Sequence, residues 1–187
     1  MQSRSIMKAS ADAVLGRGQR ESPVAVLAVF RAQIREGSGP EMAIIAAASD
    51  ATADLATPGA SVLASLTIPG RAEHVSEARS LVAKAIGTDH PAADVAVLLT
   101  SEIVTNAVLH TDSRRPGGTV MVAVIEISSG LRVEVADNGS DLSNPVVKGD
   151  LYAPDGHGLY LVQALADQWG YIRDDTGTTV WFWLDVA

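Results

Sequence analysis

Glu102 and Asn106 stand four residues apart in a segment, Val95 to His110, whose apolar positions recur at helical spacing. On a helix that spacing puts both side chains on one face, one turn from each other. A carboxylate beside an amide suits metal-assisted phosphoryl transfer: the amide oxygen ligates a hard cation such as Mg²⁺, and the carboxylate orients or deprotonates a nucleophile. Taken alone, the pair equally describes a solvated helix face. A second candidate is Val135-Ala-Asp-Asn-Gly139, at the end of a β-rich run. A buried Asp137 can accept from an exocyclic amine such as that of adenine, and Gly139 lets the backbone approach a flat ring; Asp-Asn-Gly is also an ordinary turn. The third is Gly156-His157-Gly158-Leu159, directly before an apolar helical stretch. Glycines at a helix N-terminus let backbone N–H groups face anionic oxygens, and the helix dipole adds to the attraction. This is neither a Rossmann fingerprint, which needs a third glycine in a parallel β-α-β unit, nor a Walker loop, which needs Gly-Lys-Ser/Thr.

These residues need elements to hold them. Val62 to Ile68 reads as a strand closed by Pro69-Gly70, and Ala72 to Ile86 as an amphipathic helix closed by Gly87. Asp89 is a candidate cap for the next helix, with Pro91 in its first turn, and the helix runs to about His110. Thr119 to Ile127 and Leu131 to Val135 form a hairpin around Ser128-Ser129-Gly130. A helix begins at Gly158, and Tyr171 to Arg173 pairs with Thr178 to Leu184 around Asp174-Asp175-Thr176-Gly177. The order β-α-α-β-β-α-β-β predicts an α+β two-layer sandwich, with helices on one face of a mixed, largely antiparallel sheet. Residues 1–60, rich in Ala, Ser and Gly, are expected to be a weakly structured N-terminal extension, and residues 61–187 the folded domain. Met7 and Met42 are alternative starts, which mass spectrometry of the native N-terminus would test.

Composition excludes several functions. The net charge of −8 and pI near 4.8 disfavour direct binding to nucleic acid or anionic lipid, both polyanions. With no cysteine there is no disulfide, thiolate metal site or cysteine nucleophile, as suits a cytoplasmic protein. Val24 to Phe30 and Met42 to Ala48 are too short to span a bilayer, and no signal peptide is expected. Charge also divides the chain, with six Lys/Arg against four Asp/Glu through residue 41 and eight against eighteen thereafter.

In order, Ser101-Glu-Ile-Val-Thr-Asn-Ala-Val-Leu-His110, Val135-Ala-Asp-Asn-Gly139, Gly156-His-Gly-Leu-Tyr-Leu-Val162 and Gly177-Thr-Thr-Val-Trp-Phe182 resemble the boxes of the gyrase, Hsp90, histidine-kinase and MutL ATPase superfamily, which has the Bergerat fold. Within it the chain is most similar to the anti-sigma regulatory serine/threonine kinases, over roughly residues 62–185. The resemblance implies ATP and Mg²⁺ as cofactors, with Glu102 as general base and Asn106 on the Mg²⁺ that bridges the phosphates. Asp137 would receive the adenine amino group, Gly139 would let the base pack, and the Gly156-His157-Gly158-Leu159 box would flank the phosphates. Thr179 would support Asp137, and residues 141–155 would form the lid over the nucleotide. Where the subfamily often has a second basic residue, this sequence has His157 and Thr178. Arg114, Arg115 and Lys148 are the candidates to compensate, or else ordinary solvated charges.

The function so implied is sequestration of a sigma factor together with phosphorylation of a Ser or Thr on a small antagonist protein, and the resemblance suggests a homodimer. Two alternatives use the same residues. One is a catalytically silent, ATP-dependent protein-binding module; the other is a histidine-kinase-like catalytic fragment acting in trans. The second lacks a phosphoacceptor hairpin, because His74 is not followed by Arg-x-Pro.

Overall fold

Two runs rich in β-branched residues, β3 (Thr119–Ile127) and β4 (Gly130–Asp137), pair antiparallel at the centre of the sheet. The computed structural model describes residues 45–46, 60–127, 130–140 and 157–186. Around the central pair it places β1 (Ile45–Ala46), β2 (Ala60–Pro69), α1 (Val75–Ile86), α2 (Ala93–His110), α3 (His157–Leu165), β5 (Gln168–Asp174) and β6 (Gly177–Asp185). The six strands lie in the order β1-β2-β3-β4-β6-β5, and every pairing between described strands is antiparallel, where the sequence allowed a mixed sheet. The fold is the expected α+β sandwich. Of the segment expected to be an N-terminal extension, only β1 and Ala60 fall among the described residues.

The strands divide their side chains by the period of two that the pleat imposes. Val120, Val122 and Val124 of β3, Leu131, Val133 and Val135 of β4, and Val180, Phe182 and Leu184 of β6 face the helices and form the main core. Ala78 and Val82 of α1 and Ala96, Leu99, Ile103, Val104 and Ala107 of α2 meet them there. Fully burying a side chain the size of Leu99 or Phe182 contributes about 1.5–3 kcal/mol, so this layer fixes which way each strand faces. Met121, Ala123, Ile125 and Ala136 form a second, smaller cluster on the opposite face.

Helix α2 begins later than the sequence suggests, and Asp89 does not cap it. The main-chain N–H of Ala93 donates to the His90 carbonyl at 2.9 Å, and that of Ala92 to His90 Nδ1 at 3.2 Å. Pro91 disfavours helical geometry at the residue before it, so the helix starts only at Ala93, with Ala92 in the N-cap position and no side-chain cap. Among the described residues α2 is the one helix long and apolar enough to cross a bilayer by length and composition. In this fold its apolar side chains fill the core, with eight α2 residues buried.

Candidate functional site

Helix α2 carries Glu102 and Asn106 one turn apart, both part-exposed, on a helix whose opposite side is buried against the sheet. The start of α3 closes on them. A Cβ built on Gly158 would lie 2.9 Å from Asn106 Nδ2, 3.0 Å from Glu102 Oε2 and 3.2 Å from Glu102 Cβ. A side chain there would crowd the two polar groups that the sequence singles out and make them shift. Leu159, the next residue, is buried in the main core and fixes the first turn of α3 against α2. Three expected site residues, Glu102, Asn106 and Gly158, thus come together from segments about fifty residues apart in sequence. His157 opens α3. Gly156, Lys148 and the expected lid at 141–155 lie outside the described residues.

Asp137 ends β4 and is buried, 4% exposed, on the helix side of the sheet. Its Oδ1 accepts from the Gly139 N–H at 2.6 Å, an Asx-type turn that reverses the chain directly after the strand. Gly139 has φ +72°, and a Cβ there would approach Gly177 Cα to 3.1 Å. Backbone conformation and close passage of β6 both require this glycine, a reason separate from the packing of a flat ring.

The register corrects one expectation. Asp137 stands opposite Thr178, whereas Thr179 stands opposite Ala136. Directly opposed residues share a face and neighbours along a strand do not, so Thr178 lies on the Asp137 side and Thr179 on the far side of the sheet. Thr179 therefore cannot support Asp137, and Thr178 is the threonine in position to do so. A two-residue box written Thr-Thr does not reveal which member faces inward until the strand pairing is known.

A group of polar residues that the sequence motifs do not mark ties this turn to the end of α2. Thr111 Oγ1 donates to the Ala107 carbonyl at 2.6 Å and accepts from the Ser113 N–H at 3.2 Å, turning the chain out of the helix. Ser113 Oγ donates to the Thr119 carbonyl at 2.8 Å and accepts from the Asn138 N–H at 2.9 Å. Asn138 Oδ1 accepts from the Thr119 N–H at 2.9 Å, and the Asp112 N–H donates to the Gly139 carbonyl at 2.7 Å. A Cβ on Gly70 or Gly118 would fall 2.0 or 2.2 Å from the Ser113 carbonyl oxygen, so two backbones close on this corner. The only sequence signals for it were Thr111 and Ser113 after a helix and Asn138 beside Asp137, all common turn residues. Of the basic residues expected nearby, Arg115 pairs with Asp112 at 3.1 Å and Arg114 is exposed.

The donor set fits a hard cation only in part-protein form. Among the described residues no group of three His, Cys, Asp or Glu side chains could cage a metal. One amide and one carboxylate on α2 match Mg²⁺ held by few protein ligands together with phosphate oxygens. A cleft of about 290 Å³ lined by Leu63, Ile86, His90, Glu126, Leu131 and Val186 contains none of the motif residues.

Residues 68–184 match the family model described as the histidine kinase-like ATPase domain. The matched span is well over half of the chain and includes every expected site residue. No curated protein matched the chain.

Proposed function

The chain belongs to the histidine kinase-like ATPase domain family, and on that premise we propose an ATP-binding regulator of the anti-sigma type, which binds a sigma factor and phosphorylates a Ser or Thr of an antagonist protein. The observation that carries the ATP site is the closure of Gly158 on Glu102 and Asn106. It sets a glycine helix start, suited to anionic oxygens, against a carboxylate and an amide suited to phosphoryl transfer. Buried Asp137 supplies a carboxylate acceptor for the adenine amino group, with Thr178 across the strand pair.

In this proposal Glu102 takes the proton of the acceptor hydroxyl as its oxygen bonds to the γ-phosphorus, and the bond to the ADP oxygen breaks in line. Asn106 would help to hold a Mg²⁺ ion, which would supply charge neutralisation. Gly158 leaves room for the phosphates beside Glu102 and Asn106. The sigma factor, the antagonist, the Ser/Thr specificity and a cytoplasmic site of action rest on the sequence resemblance.

The experiment is calorimetry of Mg²⁺-dependent ATP binding to the wild type, Asn106→Ala and Asp137→Asn, followed by phosphate transfer to candidate antagonists. Binding lost in both folded variants supports the site. A folded wild type that binds no ATP with Mg²⁺ present sinks the proposal. Glu102→Ala separates the kinase from the silent binding module: transfer falls while ATP binding stays in the first, and in the second there is no transfer to lose.

A further inference from the structure

At the turn that follows Asp137 the β3–β4 ladder is completed by side chains. Paired residues run from Ile127–Gly130 to Met121–Ala136, and the same register carried two residues on sets Thr119 opposite Asn138. A hydrogen-bonded pair in an antiparallel ladder exchanges two main-chain bonds. Here neither is made directly. The Thr119 N–H donates to Asn138 Oδ1 at 2.9 Å, so the side-chain carbonyl replaces the main-chain one. The Ser113 hydroxyl stands in the second bond: its oxygen accepts from the Asn138 N–H at 2.9 Å, and its proton faces the Thr119 carbonyl at 2.8 Å, with Asn138 Oδ1 at 3.2 Å. Ser113 is 1% exposed, and without its hydroxyl two main-chain groups would lose their partner. A hydroxyl set between an N–H and a carbonyl that would otherwise meet holds the strands apart, and the chain leaves the sheet at this point.

The wedge comes from the exit of α2, the helix that carries Glu102 and Asn106. Thr111 turns the chain out of that helix, and the next two residues grip the turn after Asp137. The Asp112 N–H donates to the Gly139 carbonyl at 2.7 Å, and Ser113 holds Asn138. Asp137 Oδ1 is in turn fixed to the Gly139 N–H at 2.6 Å. The helix exit therefore sets where the Asp137 carboxylate stands relative to Asn106. One of its two holds is a main-chain bond that any residue could make. The other needs a hydroxyl.

We propose, on the premise that ATP binds between Asn106 and Asp137, that Ser113 is a positioning residue for base recognition. Acting through Asn138, it places the Asp137 carboxylate where it meets the exocyclic amino group of the purine, and so makes the site select a 6-aminopurine over a 6-oxopurine. A nucleotide held at its phosphates beside Asn106 and Gly158 brings its base to Asp137 at one separation only, and such constellations tolerate about 0.5 Å of error. A 6-oxopurine puts a carbonyl oxygen against the carboxylate, leaving both acceptors without a proton between them.

The experiment is calorimetry of the full chain with Mg²⁺ and either ATP or inosine triphosphate, which carries a carbonyl oxygen in place of the amino group. The wild type should prefer ATP by roughly 10–100-fold, the worth of one hydrogen bond to a charged group. Ser113→Ala should weaken ATP by roughly tenfold and leave inosine triphosphate nearly unchanged, so that the preference falls toward that of Asp137→Asn. Added to Asp137→Asn, it should weaken ATP little further, because two residues acting through one contact are not additive. A folded Ser113→Ala that weakens both nucleotides equally, or neither, would overturn the proposal and leave Ser113 a turn residue alone. If Ser113→Ala does not fold, Asn138→Ala removes the other half of the wedge and should lower the preference in the same way; an undiminished preference there also overturns the proposal. A wild type that binds neither nucleotide, or both equally, defeats the ATP reading and this proposal together. A preference lost in Asp137→Asn but kept in Ser113→Ala defeats this proposal alone.

Discussion

The two faces of β4 and β6 are made from alternating residues of the same strands and serve opposite ends. On the helix side, Asp137 and Thr178 close a core of Val, Leu and Phe with polar groups beside a glycine-rich turn. On the far side, one residue out of register, Arg132 and Glu134 form an ion pair among Trp181, Met121 and Ala123. The first face places its polar groups where the backbone opens and a ligand can meet them. The second buries a charge pair at mid-strand, with Arg132 Nε donating to Glu134 Oε1 at 2.7 Å. Substitutions of the helix-side polar groups Asp137 and Thr178 should change ligand binding more than folding, and those of the far-side charge pair should do the reverse.

The largest effect expected is in the chemistry: Glu102→Ala should lower phosphate transfer by roughly 10²–10⁴-fold, the span of a general base, with ATP affinity by calorimetry little changed. Next, Glu134→Ala should cost about 3–5 kcal/mol in urea unfolding, because Arg132 is left charged and buried, and ATP affinity in the folded fraction should not move. Replacing both partners, Arg132→Met with Glu134→Leu, should recover most of that loss; if it does not, the far face is more than a paired charge in an apolar layer. Asp137→Asn should weaken ATP binding by roughly 10–100-fold, the worth of a hydrogen bond to a charged group, with the unfolding midpoint nearly unchanged. The smallest effect tests the register itself. Thr178→Val should weaken ATP by roughly fivefold, the scale of one neutral hydrogen bond, and Thr179→Val should leave it unchanged. Equal effects, or the reverse order, would break the assignment of the two faces.

Part of this contrast was legible beforehand. The apolar spacing of α2 and the alternation in β3 and β4 mark those elements as amphipathic or buried, so the sandwich and the common face of Glu102 and Asn106 follow from local periodicity. Gly139 was legible as well, since Asp-Asn-Gly after a strand calls for a turn with positive φ. The choice between Thr178 and Thr179 was not legible, because it depends on which β4 residue each one faces. Nor was the start of α2, which falls at Ala93 with no side-chain cap, where Asp89 was expected to supply one.

By itself the sequence determined the classes of element, the order of the motifs and the types of chemistry they can hold, because periodicity, turn residues and side-chain functional groups are local properties. Tertiary structure alone decided that Gly158 closes on Glu102 and Asn106, that Ser113 and Asn138 lock the end of α2 to the Asp137 turn, and that Arg132 and Glu134 are buried. Each of these depends on contacts between residues distant along the chain. Packing and strand register create such contacts, and no window of sequence contains both partners.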